Sequence, residues 1–281
     1  MKVALHSLVF PHPKDILCPK VLIKIKEMGY HGIEIIPIDF NSEDIKKLKN
    51  LTDSIDLNTL IGWSLGPEHS LIDSNPELAK AGIAWMKELI NMAVELDAKI
   101  IAGLNYAGCG CLSGKPHSEE ELNRAVVAYR NISDYALKHS DVQLCLEPAT
   151  REDSHLINTV VQGEAFISAV GNPNVKLLLD TFQMLREEGS IDSAIRTAAD
   201  KIGHFHVSES HRGIPGTGTV PWKEVANALQ QVDYDQWLCI EAFFDTNSFI
   251  ASNAKVWRQL ADNPFALAES AITFVYSTFN T

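Results

Sequence analysis

Four residues in the second half of the chain, Glu147, Asp180, His206 and Glu241, are of the types that bind a divalent cation: three carboxylates and one imidazole. Each closes or lies near the end of a short apolar run, as in Leu144-Cys145-Leu146-Glu147-Pro148, Leu177-Leu178-Leu179-Asp180, Phe205-His206-Val207 and Leu238-Cys239-Ile240-Glu241. Proline at 148 stops its strand where the acid is needed. Such an oxygen and nitrogen donor set, with no thiolate, suits Mn²⁺, with Mg²⁺ or Co²⁺ as alternatives, in octahedral geometry with two positions left for substrate oxygens. Any one of these acids would pass as a solvated strand end, but four such residues at adjacent strand ends read as one site. Burying the acids together without a cation would cost on the order of several kcal/mol each, which a divalent ion relieves. His204 shares a strand face with His206 one layer deeper and reads as a core histidine.

Two glutamates, Glu147 and Glu241, on opposite sides of a cation-bound substrate point to proton transfer at a carbon next to a carbonyl. The cation would stabilise the enediolate while one glutamate removes a proton and the other returns one, and delivery to the opposite face inverts the centre. In the loop after His206, Arg212 offers a fixed fork of donors to substrate hydroxyls. Gly213, Gly216 and Gly218 let that loop turn but form neither a G-x-G-x-x-G nor a Walker pattern, which favours an unphosphorylated sugar.

To bring these residues together the chain must place its strands side by side. Apolar strand-like runs alternate with helical patterns throughout, the arrangement of a parallel sheet covered by helices. Strands are expected near Val3–Val9, Gly32–Ile36, Leu57–Trp63, Lys99–Gly103, Val142–Glu147, Val175–Asp180, Ile202–Val207 and Trp237–Glu241. Helix starts are marked by Ser118 with Glu121 and by Asn75 before Pro76, and Leu122, Ala125, Val126, Tyr129, Ile132 and Ala136 form one apolar stripe. Eight such units close a single (β/α)8 TIM barrel over residues 1–281, read as one domain. The longest connections, 62–75, 105–117 and 208–221, all follow strands and would rim the C-terminal mouth, where barrels of this type carry their chemistry.

A chain of 281 residues with 46% hydrophobic content can bury a large core. Its formal net charge of −12 argues against nucleic acid and anionic membrane partners. Cys18, Cys109, Cys111, Cys145 and Cys239 include no C-x-x-C pair and read as reduced thiols, with Cys145 and Cys239 in the core. With neither a secretory signal nor an apolar span in view, a cytoplasmic location is expected.

These residues resemble the D-tagatose 3-epimerase and D-psicose (allulose) 3-epimerase family, within the xylose-isomerase-like barrel superfamily. The resemblance is carried by Leu146-Glu147-Pro148 with Arg151, Leu179-Asp180-Thr181-Phe182, His206 through Glu209 to Arg212-Gly213, Pro215-Gly216-Thr217-Gly218 and Val256-Trp257-Arg258. It implies an isomerase in which Glu147, Asp180, His206 and Glu241 bind the metal, and Glu147 and Glu241 serve as acid and base at C3 of a ketose. It further implies that Asp153, where the family usually has glutamate, and Arg212 contact substrate, and that His6 and Glu34 fall where the family lines its pocket. Gln183 stands where the family often has histidine, so the substrate is left as a ketohexose, a ketopentose or a related keto sugar. The resemblance also implies a homodimer or homotetramer, and Phe265, Phe274 and Phe279 would serve either an interface or packing onto the barrel. An aldose-ketose or hydroxypyruvate-type isomerase, a metal-dependent nuclease of this fold and a non-catalytic sugar-binding barrel are the competing readings. The acidic charge weighs against the nuclease, and the intact Glu147 and Glu241 pair against the binding module.

Overall fold

The structure is a computed structural model and describes residues 1–246 and 250–279. The strands are β1 (Lys2–His6), β2 (Gly32–Ile35), β3 (Asn58–Gly62), β4 (Ile100–Gly103), β5 (Gln143–Leu146), β6 (Val175–Asp180), β7 (Ile202–Val207) and β8 (Trp237–Ile240). They pair in sequence order and in parallel, and β8 returns to β1 through Val3 opposite Leu238 and Leu5 opposite Ile240, closing the barrel. The helices are α1 (Pro19–Glu27), α2 (Ser42–Ser54), α3 (Pro76–Leu96), α4 (Glu119–His139), α5 (Val160–Val170), α6 (Thr181–Glu187), α7 (Ile191–Ala198), α8 (Trp222–Gln231) and α9 (Pro264–Phe279). The chain is therefore a single (β/α)8 barrel, with strand boundaries near those the sequence indicates except in β1. That strand stops at His6, not Val9, because the His6 Nδ1 accepts the Leu8 backbone N–H (3.1 Å) and starts a 3-10 turn over Ser7–Val9.

Side-chain alternation sorts each strand into two faces. Outward residues such as Leu5, Ile33, Ile101, Leu144, Leu179, Phe205 and Ile240 are buried in the core beneath the helices. Inward residues Ala4, Leu60, Ile100, Ala102, Cys145, Leu178 and Cys239 form a second apolar cluster inside the barrel. Next along the same inward faces come His6, Glu34 and His204, all buried, and then the four strand-end residues.

The helix signals hold. Ser118 accepts the Glu121 N–H while the Glu121 carboxylate accepts that of Ser118, and the α4 stripe from Ala125 to Ala136 is buried. Asn75 caps α3 ahead of Pro76. In α9, Phe279 is buried, Phe265 and Phe274 are partly so, and Trp222 of α8 meets Phe274 and Phe279 with ring centroids 5.3 and 6.2 Å apart. These phenylalanines thus pack α9 onto the barrel. All five cysteines are free thiols, with Cys145 and Cys239 buried. Among the described residues no helix is long and apolar enough to cross a membrane.

Candidate active site

At the C-terminal ends of β5 to β8 the chain brings Glu147, Asp180, His206 and Glu241 together. Glu147 lies one residue past β5, with its N–H still donating to the Gly103 carbonyl (3.0 Å), and Glu241 one residue past β8, donating to Val207 (3.3 Å). Asp180 ends β6 and caps α6, accepting the Gln183 N–H at 2.9 Å. One ligand atom each from Glu147, Asp180 and His206 lie within 4.8 Å of one another. The His206 Nδ1 is 3.8 Å from Asp180 Oδ2 and 3.8 Å from Glu241 Oε2, and the Ser208 hydroxyl lies between those two carboxylates.

The electrostatics mark this centre as short of positive charge. Burial, followed by repulsion from Asp180 and Glu241, pushes the Glu147 carboxyl well above its ordinary range, and burial with Glu241 raises Asp180. Burial opposes protonation of His206, but the carboxylates of Glu34, Glu241 and Asp180 outweigh it and push the imidazole up to about 10. The His206 Nδ1 is buried without a hydrogen-bond partner although carboxylate oxygens lie on two sides. A buried imidazole nitrogen with no hydrogen-bond partner among clustered acids is a position where a divalent cation can take the place of the proton, so the donor set fits such an ion.

Arg212 sits above the acids. Its Nη1 donates to Glu241 Oε2 at 2.7 Å, and its guanidinium carbon lies 3.7 Å over the Phe182 ring. Its backbone is in the left-handed region (φ 65°), strained for an arginine, and is held by Arg212 N donating to Glu209 O and Phe243 N donating to Arg212 O, each at 2.8 Å. Glu209, fully buried, ties the loop from below. Its Oε1 accepts the N–H groups of Ser210 (2.7 Å), Thr219 (3.1 Å) and Val220 (3.3 Å), and its Oε2 those of Gly216 (2.9 Å) and Trp222 Nε1 (3.0 Å).

The remaining sequence candidates lie around this centre at different depths. Gln183 is buried, with its Oε1 accepting from Thr150 N (2.8 Å) and its amide 3.5 Å from Glu147 Oε1. Asp153 lies on the rim of a cavity of about 360 Å³, with Phe182, Arg212, Lys255 and Trp257, and bonds to Thr150 Oγ1 at 3.2 Å. His6 lies below the mouth, its ring centroid 5.8 Å from that of His206, and burial lowers its pKa to about 3. Glu34 and His204 are fully buried and bonded to each other. Ser208 and the seat of Arg212 on Phe182 escaped the sequence reading. The Ser208 position, two residues beyond His206, carried a signal only through strand-face alternation.

Barrel and site together define a (β/α)8 enzyme with a buried, cation-fitting acidic centre. The chain matches the family model described as xylose isomerase-like TIM barrel over residues 22–267. It is 32% identical over 242 residues to the D-psicose 3-epimerase of Agrobacterium fabrum (85% of this chain, 83% of that one). It is also 32% identical over 258 residues to the L-ribulose 3-epimerase of Mesorhizobium japonicum (91% and 86%). The crystal structure of a D-allulose 3-epimerase from Methylomonas sp. in complex with D-allulose superposes with a TM-score of 0.93 at 27% identity, covering 99% of this chain and 97% of that one. The chain belongs to the xylose isomerase-like TIM barrel family, and within it is an isomerase of the ketose 3-epimerase kind.

Proposed function

We propose that the enzyme inverts C3 of an unphosphorylated ketose, a ketohexose or ketopentose, in a reaction that depends on a divalent cation, Mn²⁺ first. The observation that carries this reading is the position of Glu147 and Glu241, which come from the outer two of four neighbouring strands and enclose Asp180 and His206 between them. Glu147, Asp180, His206 and Glu241 would hold the cation, which supplies positive charge for enolisation. One glutamate takes the proton from C3 and the other returns one to the opposite face. Arg212, seated on Phe182 and bonded to Glu241, orients that carboxylate and presents its remaining donors to the sugar. Asp153 on the rim, Gln183 beside Glu147 and His6 below complete the substrate-binding set. We further read residues 1–281 as one domain, working in the cytoplasm as a homodimer or homotetramer.

The test is to incubate Mn²⁺-loaded and EDTA-treated protein with free ketoses in D₂O and follow label and products by NMR. Cation-dependent deuterium at C3 with a new ketose is expected, and Glu241→Gln should abolish formation of the new ketose while sugar binding persists. Conversion to the C3 epimer that survives in Glu241→Gln refutes the two-base scheme. Label at C1 or C2 with an aldose product would make the enzyme an aldose-ketose isomerase instead.

A further inference from the structure

The mouth of the barrel has a polar storey beneath it centred on Glu34, a residue to which the proposed chemistry gives no role. Glu34 projects inward from β2, fully buried, and crosses the barrel interior to β7. Its Oε2 meets His204 Nε2 at 2.6 Å and its Oε1 meets His206 Nε2 at 3.1 Å. His6 approaches the same Oε1 with Nε2 at 3.7 Å, and since its Nδ1 accepts the Leu8 N–H, the ring proton is on the nitrogen that faces Glu34. Room for this arrangement comes from Gly62 on β3, where a Cβ would stand 2.6 Å from His6 Nε2 and 2.7 Å from Glu34 Oε1.

An imidazole that ligates a cation through one nitrogen keeps its proton on the other, and the acceptor of that proton fixes both tautomer and ring orientation. The His206 Nε2 is engaged by Glu34, and its Nδ1 is left without a hydrogen-bond partner, facing Asp180 and Glu241. We propose that Glu34 is a positioning residue of the cation centre: it holds His206 by Nε2 so that Nδ1 is presented to the ion, with His204, His6 and Gly62 shaping its seat. This rests on the reading of Glu147, Asp180, His206 and Glu241 as cation ligands. Glu34, His204, His206 and Cys239 also lie close enough together to take a thiolate-binding ion of their own. Both Glu34 oxygens are already engaged by imidazole nitrogens, so we assign the cluster to orientation and not to a second ion.

The test compares wild-type protein with Glu34→Gln, which keeps the side chain's volume. Free Mn²⁺ is followed by electron paramagnetic resonance during titration, and the Mg²⁺-loaded wild type is examined by ¹⁵N-histidine NMR. We expect Glu34→Gln to bind Mn²⁺ roughly 10- to 100-fold more weakly. In the wild type, the His206 proton should be on Nε2, with none on Nδ1. Wild-type Mn²⁺ affinity in a folded Glu34→Gln protein overturns the proposal, as does a proton on Nδ1 of the Mg²⁺-loaded enzyme. A second equivalent of Co²⁺ with a thiolate-to-cobalt absorption band also overturns it, by giving Glu34 and Cys239 to another ion. Failure of the wild type to bind Mn²⁺ would instead refute the cation centre itself. If Glu34→Gln does not fold, the NMR measurement on the wild type decides.

Discussion

Replacing Glu209 by glutamine tests whether one carboxylate organises the loop that carries Arg212. The carboxylate accepts five donors, three on Oε1 and two on Oε2. Glutamine in its better orientation keeps its carbonyl toward Ser210, Thr219 and Val220, and turns an NH₂ toward the Gly216 N–H and the Trp222 Nε1–H. Two donors then lose their acceptor. At about 1–3 kcal/mol for each donor left unsatisfied, Glu209→Gln should destabilise the protein by roughly 2–6 kcal/mol. Urea unfolding read by tryptophan fluorescence measures the stability, and amide hydrogen exchange at Gly216 and Thr219 locates the damage. Because Arg212 N donates to the Glu209 carbonyl, KM for the ketose should rise as well. A stability loss under about 1 kcal/mol, with protection at Gly216 unchanged, would refute the reasoning.

Three further outcomes are expected. His206 is raised from 6.5 to about 10, so its contribution to metal-free stability is complete below pH 6.5 and is lost as the pH climbs through 10. The raised Glu147 and Asp180 act in the same direction, so thermal melts should show EDTA-treated protein weakening with rising pH while Mn²⁺ stabilises it by a margin that widens. Phe182→Ala removes the ring under Arg212, a loss of about 0.5–2 kcal/mol that should raise KM for the ketose roughly 2- to 30-fold in steady-state assays. In β7, an added Cβ at Gly203 would stand 2.6 Å from Lys176 Cβ and 2.7 Å from Cys145 Sγ, so Gly203→Ala should cost about 1–3 kcal/mol in urea unfolding.

The barrel was legible because each strand and helix announces itself locally. The β5 to β8 runs end in residues whose burial makes sense only together, and the Ser118 and Asn75 caps mark helix starts on their own. What periodicity gives is a face, not a partner. It puts His204 and His206 on one side of β7, yet their common acceptor is Glu34, 170 and 172 residues away. The same limit hid Phe182 as the seat of Arg212, since the pair meets across a loop whose left-handed turn at 212 has no glycine to signal it. Local side-chain chemistry also escaped the β1 boundary, where His6 turns the chain by accepting a backbone N–H two residues on.

The acidic centre and the cavity beside Arg212 differ in how the chain supplies them. Residues of the acidic centre come from four separate strands, whereas one side of the cavity next to Arg212, with Asn253, Lys255, Trp257, Arg258 and Leu260, comes from one continuous stretch ahead of α9. That stretch is anchored at Leu260, whose N–H donates to the Phe244 carbonyl. The two are therefore encoded apart: exchanging that single surface segment would reshape the cavity and leave the four strand-end residues where they are. Grafting another segment there would therefore vary the cavity alone, while altering the acidic centre would require coordinated change at four strand ends.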